Sequence, residues 1–161
     1  MYPDSLLTKT EQLVQQLTAS SKTITAAESC TGGLLGGLIT SVAGASDVFH
    51  QGLITYSNEA KQRLLGVDEA LLAKHGAVSE EVARAMAKGA LASAQADIAL
   101  SITGIAGPGG GSAEKPVGLV YIGCARGEEV VVAKNIFTGN RQSVRLQSCH
   151  KAIEMALVCL S

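Results

Sequence analysis

Ala26-Ala27-Glu28-Ser29-Cys30-Thr31-Gly32-Gly33 is the stretch on which the fold turns. A β-prone run, Thr23 to Ala27, leads into hydroxyls, a thiol and two glycines, and Leu34-Leu35-Gly36-Gly37-Leu38-Ile39 follows. That order predicts a strand over 23–27, a tight turn, and a helix from about Thr31 to Ser41. Ser29 would stand exposed at the strand end. The backbone N–H groups of Cys30, Thr31 and Gly32 would be among the unpaired donors of the helix N-terminus. A hydroxyl beside free N–H groups is the raw material of a nucleophile and its oxyanion hole. Taken alone, the same residues also fit a helix merely capped by Ser29 or Thr31, its glycines allowing close packing.

Working outward, residues 4–19 carry Leu6, Leu7, Leu13, Val14 and Leu17 at near-helical spacing behind a cap at Asp4 or Ser5. A second strand is read over Val48–Tyr56 with a bulge at Gly52. Ser57 and Asn58 are N-cap types, so Glu59–Leu65 reads as a helix closed by Gly66. A short helix over Asp68–Lys74 and a long Ala-rich one opened by Ser79-Glu80-Glu81 come next. Asp97–Thr103 is a buried strand, Val117–Ala125 and Val130–Phe137 form a hairpin about Arg126-Gly127-Glu128, and a last helix runs from Gly139 or Asn140 to about Cys159. Five strands interspersed with helices, the last two antiparallel, predict a three-layer α/β/α domain over residues 1–161 with a mixed sheet of five strands or slightly more.

A chain of 161 residues with 47% hydrophobic content is enough for one core, and 3% aromatics imply that the core is built from Val, Ile, Leu and Ala. A net charge of −1 with no run of Lys or Arg argues against nucleic acid or an anionic membrane as a partner. Cys30, Cys124, Cys149 and Cys159, like His50, His75 and His150, lack metal-ligand spacing. We therefore expect reduced thiols in a cytoplasmic protein, no metal and no cofactor. A homo-oligomer is expected.

Three further features carry chemistry. The loop Gly104-Ile105-Ala106-Gly107-Pro108-Gly109-Gly110-Gly111-Ser112 follows a strand but is neither a Walker A loop nor a dinucleotide fingerprint. It is either the wall of a site or a flexible surface loop. Lys61 falls in the first turn of its helix, where the macrodipole opposes a cation. With partial burial, that placement would leave a neutral amine able to take a proton from a serine; the alternative is a solvated lysine. Tyr56, just before that helix, either orients these groups or belongs to the core. Arg141 and Arg145, at i and i+4, lie together at the positive end of the last helix. That arrangement is explained by an anion such as a phosphate between them, or by two side chains snorkelling into water.

Six ordered motifs make the pattern recognisable: Ala-Glu-Ser-Cys-Thr-Gly-Gly at 27–33, Gly-Leu-Ile-Thr-Tyr-Ser-Asn-x-x-Lys at 52–61, Gly-Ala-Val-Ser at 76–79, Thr-Gly-Ile-Ala-Gly-Pro-x-Gly-Gly at 103–111, Lys-Pro-Val-Gly-Leu-Val at 115–120 and Phe-x-Gly-Asn-Arg-x-x-Val-Arg at 137–145. Together they resemble the C-terminal domain family of the competence/damage-inducible protein CinA, whose stand-alone members are nicotinamide-nucleotide amidases. Larger members carry an extra N-terminal domain, so this chain resembles the stand-alone form. The resemblance implies hydrolysis of the carboxamide of nicotinamide mononucleotide in pyridine nucleotide salvage. It matches Ser29 to the nucleophile, Lys61 to its base and Tyr56 to a neighbouring tyrosine, and it associates Thr103 and Arg145 with the substrate site. Gly104, Gly107 and Arg141 complete the expected substrate-binding set, and the N–H groups of Cys30, Thr31 and Gly32 the oxyanion hole. Two rivals remain: a nucleotide-binding regulatory module without turnover, and Cys30 as nucleophile.

Overall fold

The computed structural model describes residues 1–161. The elements are α1 (Asp4–Ala19), β1 (Ile24–Glu28), α2 (Leu34–Thr40), a 3₁₀ turn (Ala45–Asp47), β2 (Gly52–Ile54), α3 (Asn58–Leu65), α4 (Glu69–His75), α5 (Glu80–Ala94), β3 (Ile98–Gly104), β4 (Leu119–Arg126), β5 (Glu129–Ile136) and α6 (Arg141–Leu160). They form one five-stranded sheet in the order β2-β1-β3-β4-β5. β2, β1 and β3 run parallel, and β4 and β5 continue antiparallel.

The layers follow from the handedness of the crossovers. From β1 the chain steps outward to β2, then returns past β1 to β3, so two right-handed connections must use opposite faces of the sheet. One core accordingly packs Ile24, Ala26, Leu100 and Ile102 against the buried residues of α1, α2 and α6. The other packs Ala27, Ala99 and Ala125 against α5 and the ends of α3 and α4. The strand order reverses at β1, between β2 and β3, and the carboxyl ends of strands at such a switch point are the usual place for a ligand in an open α/β sheet.

Local capping chemistry places most helix ends where the sequence does. Ser57 Oγ accepts from Ala60 N, Asp68 from Ala70 N, Ser79 from Val82 N and Asn140 from Ser143 N. Gly66, at φ +67, closes α3. Pro3, without a side-chain cap, precedes α1 in place of an Asp4 or Ser5 cap. Two readings need larger correction. β2 pairs over only three residues; Val48 caps the end of the 3₁₀ turn, its N–H donating to the Ala45 carbonyl and its own carbonyl accepting from Ile24 N. Gly52 is no bulge; it lies under the Phe49 ring, which a Cβ would meet at 2.8 Å. The second correction concerns α2, which begins at Leu34 rather than Thr31.

Candidate active site

Ser29 leaves β1 with its N–H donated to the Ile102 carbonyl at 2.9 Å, so it continues the parallel ladder for one residue. By strand alternation it faces the α3 and α5 layer, as Thr25 and Ala27 do. Lys61, in the first turn of α3, reaches it from that side. Its Nζ lies 3.0 Å from Ser29 Oγ and donates to the Thr55 carbonyl at 2.8 Å. At 1% exposure Lys61 is among the largest fully buried side chains. Burial pulls its pKa below the ordinary lysine value of 10.5. The hydroxyls of Thr31 and Thr55 are also buried, without partners. What brings α3 so close is Gly89 in α5, where a Cβ would overlap the Leu65 carbonyl.

The turn after Ser29 is built differently from a bare helix N-terminus. Gly32 N–H is not a free donor, since it bonds the Ser29 carbonyl at 3.0 Å. Gly32 and Gly33 both hold positive φ, +55 and +103, which glycine adopts without strain. The first free N–H groups of α2 are taken by a residue absent from the expected site. Glu28, 3% exposed, accepts from Leu35 N at 2.8 Å and from Gly36 N at 2.9 Å. An acid inside a strand of otherwise apolar and small residues was the signal in the sequence. Cys30, Thr31 and Gly33 keep N–H groups without an acceptor in the chain.

Arg145 reaches across from α6 to the same turn. Its Nε donates to the Cys30 carbonyl at 3.2 Å and its Nη2 to the Thr31 carbonyl at 2.8 Å, while Nη1 bonds Gln142. In a planar trans peptide C=O and N–H point oppositely. Fixing the Cys30 carbonyl toward α6 therefore turns the Thr31 N–H away from α6. Arg141 has different partners from Arg145: it donates to the Gly107 carbonyl at 2.8 Å and to Tyr56 Oη at 3.0 Å. Tyr56 is 60% exposed, so this chain of contacts links the end of β2, the glycine loop and α6 in the open.

The remaining expected residues make contacts within the fold. Thr103 lies next to Ser29, one step beyond the Glu28–Ile102 pairing; its hydroxyl donates to the Ala77 carbonyl at 2.8 Å and it is 1% exposed. Gly104 packs directly on β4, where a Cβ would meet the Leu119 carbonyl at 2.7 Å. Gly107, at φ +84, offers its carbonyl to Arg141. Cys30 is buried, and burial first of all, with Glu28 adding to it, pushes its thiol up to about 11. Near neutrality it is therefore held as the thiol rather than the more nucleophilic thiolate. A concavity of about 980 Å³, lined by Cys124, Arg126, Val131 and Val158 among others, lies at the opposite end of the sheet.

Comparison with known proteins adds to this geometry. The family model described as the CinA C-terminal domain matches residues 7–160. A CinA-like protein of Syntrophobacter fumaroxidans is 58% identical over 128 residues, which are 80% of this chain and 30% of that protein. The chain spans about a third of the length of the first curated relatives it matches. The nicotinamide-nucleotide amidohydrolase PncC of Escherichia coli K12 is 50% identical over 156 residues, 96% of this chain and 94% of the relative. Among solved structures, the competence/damage inducible protein CihA of Agrobacterium tumefaciens superposes with a TM-score of 0.96 at 40% identity, covering 99% of this chain and 98% of that one.

Proposed function

The chain belongs to the CinA C-terminal domain family, and from that premise we propose that it hydrolyses the carboxamide of nicotinamide mononucleotide to nicotinic acid mononucleotide and ammonia. The observation that carries the mechanism is the buried Lys61 Nζ at 3.0 Å from Ser29 Oγ. Neutral Lys61 takes the Ser29 proton as Oγ attacks the carboxamide carbon. The carbonyl oxygen becomes an oxyanion, held by the N–H of Thr31 with those of Cys30 and Gly33. The Lys61 ammonium returns its proton to the amide nitrogen, the C–N bond breaks, and ammonia leaves a nicotinoyl ester on Ser29. Water then attacks the ester with Lys61 again as base, releasing the acid and restoring the serine. The positive pyridinium ring draws electrons from the carbonyl and favours both attacks.

Substrate recognition divides between the two arginines. Arg145 is a positioning residue, because its nitrogens are directed at the Cys30 and Thr31 carbonyls. Away from α6 means toward the layer of α3, from which Lys61 meets Ser29, so the peptide fixed by Arg145 presents its N–H on the reacting side. Arg141 is exposed and can exchange Tyr56 Oη for a phosphate oxygen. Tyr56 and the Gly104–Gly111 loop then flank the nucleotide. No helix is long and apolar enough to cross a membrane, and we assign the reaction to the cytoplasm.

The test follows ammonia and nicotinic acid mononucleotide from purified protein, in buffer containing EDTA. No three His, Cys, Asp or Glu side chains converge to hold a metal, so turnover should proceed under chelation. Stoichiometric formation of both products is expected. Binding of the nucleotide without turnover would favour the regulatory reading instead.

A further inference from the structure

Glu28 has no place in the proton transfers above, yet it is almost completely buried and aimed at backbone rather than at solvent. Both of its carboxyl oxygens accept N–H groups of the first turn of α2, at Leu35 and Gly36. The same residue is the last of β1 and bonds both neighbouring strands: it pairs with Ile102 on one side, and its carbonyl accepts from Thr55 N on the other. Between these two anchorages, the end of the sheet and the start of α2, lies the segment Ser29–Gly33. That segment has no regular secondary structure of its own, and its two glycines adopt left-handed φ.

We propose that Glu28 is a positioning residue for the oxyanion hole, an inference that rests on reading Ser29 as the nucleophile. The carboxyl group caps α2 from a position before the turn, which ties the helix start to the strand end and sets the span that Ser29–Gly33 must bridge. Capping by Glu28 also removes the Leu35 and Gly36 N–H groups from competition. The donors left for an oxyanion are those of the turn itself. Gly36 shows how closely the carboxyl is held, since a Cβ there would stand 3.4 Å from its Oε2 and 3.7 Å from the Phe49 ring. Arg145 holds the turn by its carbonyls and Glu28 holds the helix that follows by its N–H groups, so the free N–H groups between them cannot swing.

The prediction separates positioning from bulk stability. Glu28→Gln preserves size but replaces one acceptor oxygen with an NH₂ group facing an N–H, so one of the two anchoring bonds is lost. Removing a single oxyanion donor costs about 10²–10³ in kcat, and a displaced rather than deleted donor should cost roughly 10–100-fold. KM for nicotinamide mononucleotide should stay within about twofold, because that loss falls on the transition state. The pH profile of kcat should keep its midpoint, which belongs to Lys61. Glu28→Asp keeps both oxygens on a shorter stem and serves as the second variant, with an expected loss no larger than that of Glu28→Gln.

A second measurement makes the inference independent of the substrate. A fluorophosphonate that phosphonylates serine nucleophiles also develops charge in the oxyanion hole, and its attachment to Ser29 is read by mass spectrometry. Wild-type protein should label at Ser29, and Glu28→Gln should label at least about tenfold more slowly, with circular dichroism spectra unchanged for both. Labelling of the wild type without turnover of the nucleotide would sink the substrate assignment while leaving Glu28 in its role. Unaltered labelling and kcat in Glu28→Gln would overturn the role of Glu28. So would a loss of kcat that merely tracks the fraction of unfolded protein, or a pH midpoint displaced from that of the wild type.

Discussion

Replacing Arg145 by alanine distinguishes a guanidinium that grips substrate from one that shapes the enzyme. The variant loses the bonds to the Cys30 and Thr31 carbonyls, at 3.2 and 2.8 Å, and the weaker surface bond to Gln142. A hydrogen bond to a charged group contributes about 1.5–3 kcal/mol. The longer of the two belongs at the bottom of that range. Freed, the Cys30–Thr31 peptide can rotate and withdraw the Thr31 N–H, and loss of one oxyanion donor costs about 2.7–4 kcal/mol in the transition state, or 10²–10³ in kcat. We therefore expect Arg145→Ala to lower kcat about a hundredfold for nicotinamide mononucleotide and for its dephosphorylated nucleoside alike, with KM nearly unchanged. Arg145→Lys should recover little, since an ammonium cannot span both carbonyls as the planar fork does. Arg141→Ala should show the converse, a raised KM for the nucleotide and none for the nucleoside. The assay is steady-state kinetics on both substrates with all three variants. If Arg145→Ala instead raises KM for the nucleotide alone and leaves kcat intact, Arg145 binds the phosphate and the peptide-orientation argument is wrong.

The dyad makes its own demands. Ser29→Ala and Lys61→Ala should each abolish most ammonia release with the fold intact, while Cys30→Ala keeps most of it, because the thiol is buried and protonated near neutrality; the reverse pattern would make Cys30 the nucleophile. Burial lowers the pKa of Lys61 and only its neutral amine accepts a proton, so kcat/KM should rise with pH through a midpoint below 10.5 that disappears in Lys61→Ala. The same shift bears on stability. The unfolded chain binds the extra proton between the lowered folded pKa and 10.5, so wild-type stability relative to Lys61→Met should increase as pH rises through that window and fall again as pH drops through the folded pKa. Urea denaturation at several pH values reads this, and a difference independent of pH would remove the buried-amine argument. Gly89→Ala should both lower the melting temperature and depress kcat, since its Cβ would overlap the Leu65 carbonyl and push α3, with Lys61, off the sheet; thermal denaturation and turnover of the one variant test it, and a stable, fully active protein would refute it.

How much of this was legible in the sequence depends on the range over which each structural cause acts. Ser57, Asp68, Ser79 and Asn140 cap helices within three residues of themselves; the sequence puts Ser79 at the opening of its helix and offers Ser57 and Asn140 each as one of two candidates, while Asp68 reads there as the first residue of its helix. Apolar alternation found β3, β4 and β5 to within two residues at each end. It overran at β2, where Val48 is apolar because it is buried at the end of a 3₁₀ turn, not because it belongs to a strand. The start of α2 was missed for a related reason: its cap is Glu28, seven and eight residues before the N–H groups it accepts, and no helix-start pattern reaches that far.

The site divides along the same line. Ser29 and Lys61 could be named from the hydroxyl, the glycines and a lysine in a first turn, and the motifs resembling CinA supplied their roles. What orders them was hidden, because the partners are main-chain atoms that have no identity in a sequence. The Thr55 carbonyl fixes Lys61, and the Cys30 and Thr31 carbonyls fix Arg145 from more than a hundred positions away. Two arginines at i and i+4 on a positive helix end looked like a phosphate clamp because their cost was visible and their acceptors were not. Once carbonyls are counted as acceptors, the unfavourable placement of Arg145 needs no anion: the helix end aims a cation at the turn that follows Ser29. That leaves Arg141, whose partners are a solvent-exposed phenol and a loop carbonyl, as the arginine with a partner that a phosphate can displace.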